Sequence, residues 1–156
     1  VENKHGVVLA NAGIDMSNVE QDDGGIVLLL PENPDRSAEA ICDAIKKRTD
    51  VNIGLIINDS LGRAFRNGTT GIALGVAGLP ALADLSGTLD LFGRALQVTQ
   101  VAVADELAAA ASLLMGQAAE GQPAVLVRGF ASDSPDGNSA QLTRSKEGDL
   151  FRAGKS

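Results

Sequence analysis

Apolar positions along the chain fall in short blocks that switch between two spacings. Gly6 to Ala10 (GVVLA) is a continuous apolar run that predicts a buried strand ending at the polar, glycine-bearing break Asn11 to Asp15. After Gly24-Gly25, Ile26 to Leu30 predicts a second strand, stopped by Pro31. From Pro34 to Lys47 the spacing becomes helical, with Ala38, Ile41, Cys42 and Ile45 on one face. Val51 to Ile57 predicts a further strand, with Asn58-Asp59-Ser60 at its end and a basic, glycine-punctuated loop from Leu61 to Thr69. Thr70 to Ala77 alternates large and small residues: Ile72, Leu74 and Val76 on one face, Gly71, Ala73 and Gly75 on the other. That bare face would let another backbone or helix approach closely.

Gly78 to Gly93 reads as loop with a short helical turn near Leu89 to Phe92, and Ala95 to Val103 opens as a strand. The strongest helix runs from about Val103 to Ala119, with Val103, Leu107, Ala111 and Leu114 as its stripe. Asp105 and Glu106 occupy its first turn, where the helix dipole favours acids, and Gly121 ends it. Pro123 starts a strand from Ala124 to Arg128. Helices between some strands and hairpin spacing elsewhere predict an α/β (mixed α+β layered) domain over 1–130. The Ser-, Asp- and Gly-rich stretch 131–156, with Asp149-Leu150-Phe151-Arg152 near its end, is set apart as a flexible C-terminal tail.

Composition narrows the function classes. A net charge of −7 disfavours a nucleic-acid partner, which needs clustered Lys and Arg. No apolar run approaches the roughly 20 residues that cross a bilayer, and a single cysteine excludes an internal disulfide, so a cytoplasmic protein is expected. Cys42 reads as a small core residue, and the one histidine, His5, as solvated. The phosphate-cradling G-x-x-x-x-G-K-[ST] pattern is absent, so any nucleotide binding is of another kind.

Three segments are candidates for chemistry. Asp15 and Asp59 each follow an apolar strand beside small polar residues, a donor set suited to a hard divalent cation, although aspartate also caps turns. Arg63 and Arg66 lie just beyond Asp59-Ser60 and suit an anionic ligand; surface arginines also serve only solvent. Gln117 and Glu120 supply oxygen donors in the stretch Met115 to Gln122, which otherwise reads as a solvated helix end.

Read together, the segments resemble one family. Asn11-Ala12-Gly13-Ile14-Asp15-Met16-Ser17-Asn18-Val19 resembles the Asn-Ala-Gly-Ile-Asp-x-Ser-Asn-Val signature of the coenzyme F420-0:L-glutamate ligases (F420-0:gamma-glutamyl ligases). Asn58-Asp59-Ser60-Leu61-Gly62-Arg63 resembles their Ser-Asp-Thr-x-Gly-Arg loop, and Gly75 to Gly78, Asp90 with Gly93-Arg94, Ala102 to Ala108, Met115-Gly116-Gln117 and Val127-Arg128-Gly129 follow in family order.

The resemblance implies a GTP-driven ligase that joins L-glutamate to the coenzyme F420 precursor through an acyl phosphate. It implies two Mn²⁺ or Mg²⁺ sites and possibly K⁺, with Asp15 and Asp59 as the catalytic pair on the first metal and Ser60 with Gln117 on the second. Asn18 and Met115, Gly116, Gln117, Ala118, Ala119, Glu120, Gly121 and Gln122 would meet the nucleotide. Arg63 and Arg66 are added as anion contacts. A homodimer is implied as well.

The departures are Asn58 for Ser, Ser60 for Thr, Ala64-Phe65 where Pro and Trp are common, and no basic residue before Gly87. They leave the metal set intact and open the choice of acceptor acid. Family members carry roughly one hundred further N-terminal residues, an ordinary domain's worth, and the chain begins with Val1. The expectation is therefore a C-terminal part of the family fold lacking its N-terminal segment. The alternatives are a non-catalytic fragment, a metal- or phosphate-binding module, or a ligase for another acid.

Overall fold

The computed structural model describes residues 1–9, 13–20 and 25–149. The expectations at Ala10, Asn11, Ala12, Gly24 and Leu150 to Arg152 lie outside them. The element order is α1 (Pro34–Thr49), β1 (Leu55–Arg63), β2 (Arg66–Ala77), β3 (Ala83–Asp84), β4 (Gln100–Val101) and α2 (Val103–Met115), followed by 3₁₀ turns at Ser139–Leu142 and Lys146–Gly148. The mixed α and β composition is as expected.

The main sheet is an antiparallel hairpin of β1 and β2. Two expectations change here. Asp59 and Ser60 lie inside β1 rather than past its end, and the supposed loop 61–69 is the end of the hairpin. Glycine and charge mimic a loop, but cross-strand pairing supplies the backbone partners that make the segment a strand. Phe65, at the turn, adopts φ 60° and is almost wholly exposed.

The register steps from Ile57↔Gly75 to Asn58↔Ala73, which leaves Leu74 as an extra residue in β2. This bulge splits the predicted faces. Alternation along β1 places Ile57, Asp59 and Leu61 on one face, opposite Gly75, Ile72 and Thr70. Ile56, Asn58 and Ser60 lie on the other, opposite Val76, Ala73 and Gly71. Val76 therefore joins Ala73, and Gly75 leaves Gly71. The close approach predicted for the bare face occurs, but to two helices. A Cβ at Gly71 would meet Ser112 Oγ and the Ala108 carbonyl of α2, whereas one at Gly75 would meet the Pro34 backbone of α1.

The core lies between the hairpin and α2: Ala73, Val76, Leu79, Ala81, Ala104 and Ala108, with Ile56, Leu107 and Leu142 packed against it. Of the expected stripe, Val103 is buried and Leu107 packs against the core, whereas Leu114 is exposed and the small residues Ala104 and Ala108 are buried instead. Small residues let the helix lie close over glycine-bearing β2. α2 stops at Met115, capped by Gly116 at φ 76° rather than by Gly121.

α1 starts as its sequence predicts. The Asn33 side chain accepts from Arg36 N at 3.0 Å, Pro34 opens the first turn and Asp35 follows. Cys42 faces inward and donates its thiol to the Ile53 carbonyl at 3.6 Å; burial pushes its pKa up.

The first two predicted strands are reduced to single bridges, Glu2↔Val8 and Asp15↔Leu28. The segment 83–101 is held by β3–β4 and the bridge Leu89↔Ala95, and its tip is a turn closed by Gly93 N to Asp90 O at 3.0 Å, not a helical turn. No strand forms over 124–128. Within the stretch set apart as a tail, residues 137–142 pack on the body. Gly137 N donates to Leu79 O at 3.0 Å, and Asp35 accepts from Ser139 N at 3.1 Å and from Ser139 Oγ at 2.9 Å.

Candidate functional site

Asp15 sits in a tight turn built by its own sequence. Its Oδ1 accepts from Ser17 N at 2.8 Å, and the Ser17 hydroxyl reaches both oxygens at 2.7 and 2.8 Å. These hydrogen bonds hold the exposed carboxyl below its ordinary pKa, the Ser17 N–H most strongly. Asn18 completes the turn at φ 53°, a conformation asparagine tolerates better than most residues. Asp15 therefore does cap a turn, and the cap presents a charged carboxylate at the surface.

Asp59 is half-buried in β1. Burial pushes its carboxyl up, the Ser60 N–H at 2.8 Å pulls it down, and the charge of Asp15 pushes it up again. Two carboxylates 44 positions apart in the chain thus stand close enough to act on each other. Among the described residues no group of three or more His, Cys, Asp or Glu assembles around them or elsewhere. Carboxylates such as these are the oxygen donors that Mg²⁺ or Mn²⁺ take, ions that also keep several waters. The donor chemistry therefore fits the implied metal.

Ser60 points to the opposite face of β1 from Asp59, because adjacent strand residues alternate. That is the face under α2, where Asn58 Nδ2 donates to the Ala108 carbonyl at 3.2 Å, to Ser112 Oγ at 3.0 Å and to Met115 Sδ at 3.6 Å. Asn58 is thus a tie between strand and helix, and its buried Oδ1 has no hydrogen-bond partner. Ser60 shares its face with the carboxyl end of α2, from which residues 116–122 depart. Gln117 and its neighbours to Gln122 form an exposed loop, in which Glu120 accepts from Ala118 N at 2.8 Å and is held below its ordinary pKa by that bond. Arg63 and Arg66 are cross-strand partners at the exposed hairpin end, and Arg63 Nη2 donates to the Asn67 carbonyl at 3.3 Å. The charge of Asp15 therefore reaches Asp59, Ser60 lies on the opposite face of β1, and the arginine pair lies at the hairpin end.

Sequence reasoning missed Asp35 and Asp105. Each is a first-turn acid whose carboxylate accepts from the free edge of β2: Val76 N donates to Asp35 Oδ1, and Ala73 N to Asp105 Oδ1, both at 2.8 Å. Their three-residue spacing on β2, rather than an even one, follows from the bulge. Burial pushes the half-buried Asp105 carboxyl up, and the Ala73 N–H opposes it. A first-turn acid is also what the helix dipole favours, so the sequence held no separate signal. His5 is not merely solvated, since its Nε2 lies 3.3 Å from the Pro31 carbonyl.

The paired aspartates lie in the two signatures that carried the resemblance. Residues 1–129 match the family described as F420-0:Gamma-glutamyl ligase, and the chain belongs to that family. It is 50% identical over 151 residues to the coenzyme F420:L-glutamate ligase of Methanocaldococcus jannaschii. It is also 52% identical over 153 residues to that of Methanothermobacter thermautotrophicus and 47% over 152 to that of Archaeoglobus fulgidus. These matches take in 97% of this chain and 59–60% of each relative, so the chain spans about three fifths of their length. They bear on the family and do not place the chain in its C-terminal part. No helix among the described residues is long and apolar enough to cross a membrane.

Proposed function

We propose that the protein works as a ligase in the cytoplasm, joining L-glutamate to the coenzyme F420 precursor, or to a related acid, at the expense of GTP. One observation supports the reading: the charge of Asp15, in one family signature, acts on the half-buried Asp59 of the other, after burial and the Ser60 N–H. An anionic substrate beside two aspartates needs positive charge between them, which a divalent cation supplies when bound. Asp15 and Asp59 would hold one such ion. Ser60 and Gln117 would hold another, with K⁺ as a possible further ion, and alternation along β1 supports two separate positions.

The reaction balances as two transfers. A carboxylate oxygen of the acceptor attacks the γ-phosphorus of GTP, forming an acyl phosphate and releasing GDP. The amine of glutamate then attacks the acyl carbon; the C–N bond forms, the C–O bond to phosphate breaks, and two protons leave the ammonium, one of them ending on the released phosphate. In this scheme Asn18 and the backbone of 115–122 meet the nucleotide, and Arg63 with Arg66 pair with an anion.

Association into a homodimer is part of the proposal.

Calorimetric titration with Mn²⁺, with and without GTP, tests the site. Saturable binding that tightens with GTP and disappears in Asp59→Ala is expected. Equal binding by the variant would remove Asp59 from the metal and the reading with it.

A further inference from the structure

The hairpin end carries a second irregularity besides the bulge at Leu74. The register passes from Gly62↔Thr69 to Arg63↔Arg66, so Asn67 and Gly68 have no counterpart in β1. Both residues are exposed. Gly68 adopts φ 83°, which glycine takes without strain, and nothing lies within 4 Å of where its Cβ would stand. The Asn67 carboxamide makes no hydrogen bond among the described residues. Its backbone carbonyl, by contrast, accepts from Arg63 Nη2 at 3.3 Å.

That carbonyl belongs to the same peptide group as the Gly68 nitrogen. Loss of the Gly68 proton leaves a negative charge shared by resonance between that nitrogen and the Asn67 oxygen. A guanidinium on the oxygen favours the charged form. The nitrogen so activated is one ring closure from the Asn67 side-chain carbonyl carbon, with no glycine side chain in the way.

The other described asparagines lack this combination. Asn33 precedes Pro34, which has no N–H to lose. The side chains of Asn3, Asn58 and Asn138 are held by hydrogen bonds. Asn18 and Asn52 precede the β-branched Val19 and Ile53, whose bulk hinders the approach.

We propose that Asn67-Gly68 is a site of spontaneous covalent modification, a deamidation that Arg63 promotes. The Gly68 nitrogen attacks the Asn67 side-chain carbonyl carbon. A C–N bond forms, the bond to the side-chain amino group breaks, and ammonia leaves with the proton that Gly68 gave up. Water then opens the cyclic imide at either carbonyl, giving aspartate or its β-linked isomer. One water is consumed and one ammonia released, and the chain becomes one unit more negative than −7. The new carboxylate stands beside Arg63 and Arg66. Its consequence for function rests on the proposal that these arginines pair with an anion: conversion supplies them with an internal one.

The test is incubation of the 156-residue chain at mildly alkaline pH, with peptide mapping by mass spectrometry over time. Replacement of amide by acid at Asn67, at least tenfold faster than at Asn138, is expected. Arg63→Gln should slow it at least threefold in the folded chain and leave the rate in urea unchanged. Arg63→Lys, which keeps a charged donor, should retain most of the rate, and Arg66→Gln should match the wild type. Survival of Asn67 alongside Asn138 would overturn the site. Equal rates for the folded wild type and Arg63→Gln, or the same slowing in urea, would overturn the part given to Arg63.

Calorimetric titration with pyrophosphate, on fresh and on converted protein, reads the consequence. Binding weakened at least threefold by conversion is expected, and unchanged binding would overturn the consequence. No binding by the fresh protein sinks the anion role of the arginines alone, because the mass measurement does not depend on it.

Discussion

Gly71→Ala tests the closest contact between the hairpin and α2. A Cβ there would meet Ser112 Oγ, would lie 2.6 Å from the Ala108 carbonyl oxygen and 2.8 Å from Asn58 Oδ1. The serine hydroxyl can rotate away, but the carbonyl belongs to helix backbone, so α2 must move as a body. Forcing a methyl into a packed contact costs about 1–3 kcal/mol, which for a chain of this length lowers the melting temperature by roughly 4–8 °C near the middle of that range. Gly62→Ala is the control: nothing lies within 4 Å of its Cβ, and its φ is not positive. There alanine should be neutral or stabilise by about 0.4–1 kcal/mol through the unfolded chain. Urea denaturation of both variants gives the comparison. Adding Ser112→Ala to Gly71→Ala should restore part of the loss and leave the carbonyl clash. Equal stability of the wild type and Gly71→Ala would refute the claim that α2 is seated on a bare glycine.

Asp59→Asn should make the metal-free chain more stable at neutral pH while removing Mn²⁺ binding. A carboxyl raised by burial and by Asp15 favours the folded state when protonated. The wild type therefore loses stability as pH rises from its unfolded value near 3.8 through its raised folded value. The advantage of the variant should be full above that window and vanish below it, as chemical denaturation across pH would show. Asp35→Ala removes the acceptor shared by Val76 N, Ser139 N and Ser139 Oγ and should cost about 2–4 kcal/mol. Asp35→Asn should lose less, and thermal melts of the two distinguish them.

How far the sequence was legible depended on whether a signal was local. The start of α1 is written in three consecutive residues, Asn33-Pro34-Asp35, and the structure uses each as capping chemistry requires. Asp15 with Ser17 and Asn18 is similarly self-contained. Asp15 and Asp59 could be singled out from their small polar neighbours, but whether they act on each other is a long-range fact that spacing does not encode. The hairpin was misread because Asn58-Asp59-Ser60 and the glycines of 62–68 look like strand-ending residues until the partner strand is known. The α2 stripe was legible at Val103 and Leu107 and failed further along the helix for the opposite reason. Leu107, Ala111 and Leu114 satisfy helical periodicity, but glycine-bearing β2 admits only the small residues Ala104 and Ala108 at short range. The roles of Asp35 and Asp105 follow from the bulge, which no single residue announces.

That bulge bears on how the chain can vary in length. Deleting Leu74, or inserting one residue on either side of it, would exchange the faces of everything between it and the next fixed point. Val76 would leave the α2 core, Gly75 would move out from under Pro34, and Asp35 would lose the Val76 N–H. The hairpin end at Ala64–Phe65 is free of that constraint, since residues added there extend the turn without altering the register behind it. Among natural homologues, insertions are accordingly expected at the hairpin end, and a fixed residue count from Thr69 to Ala77.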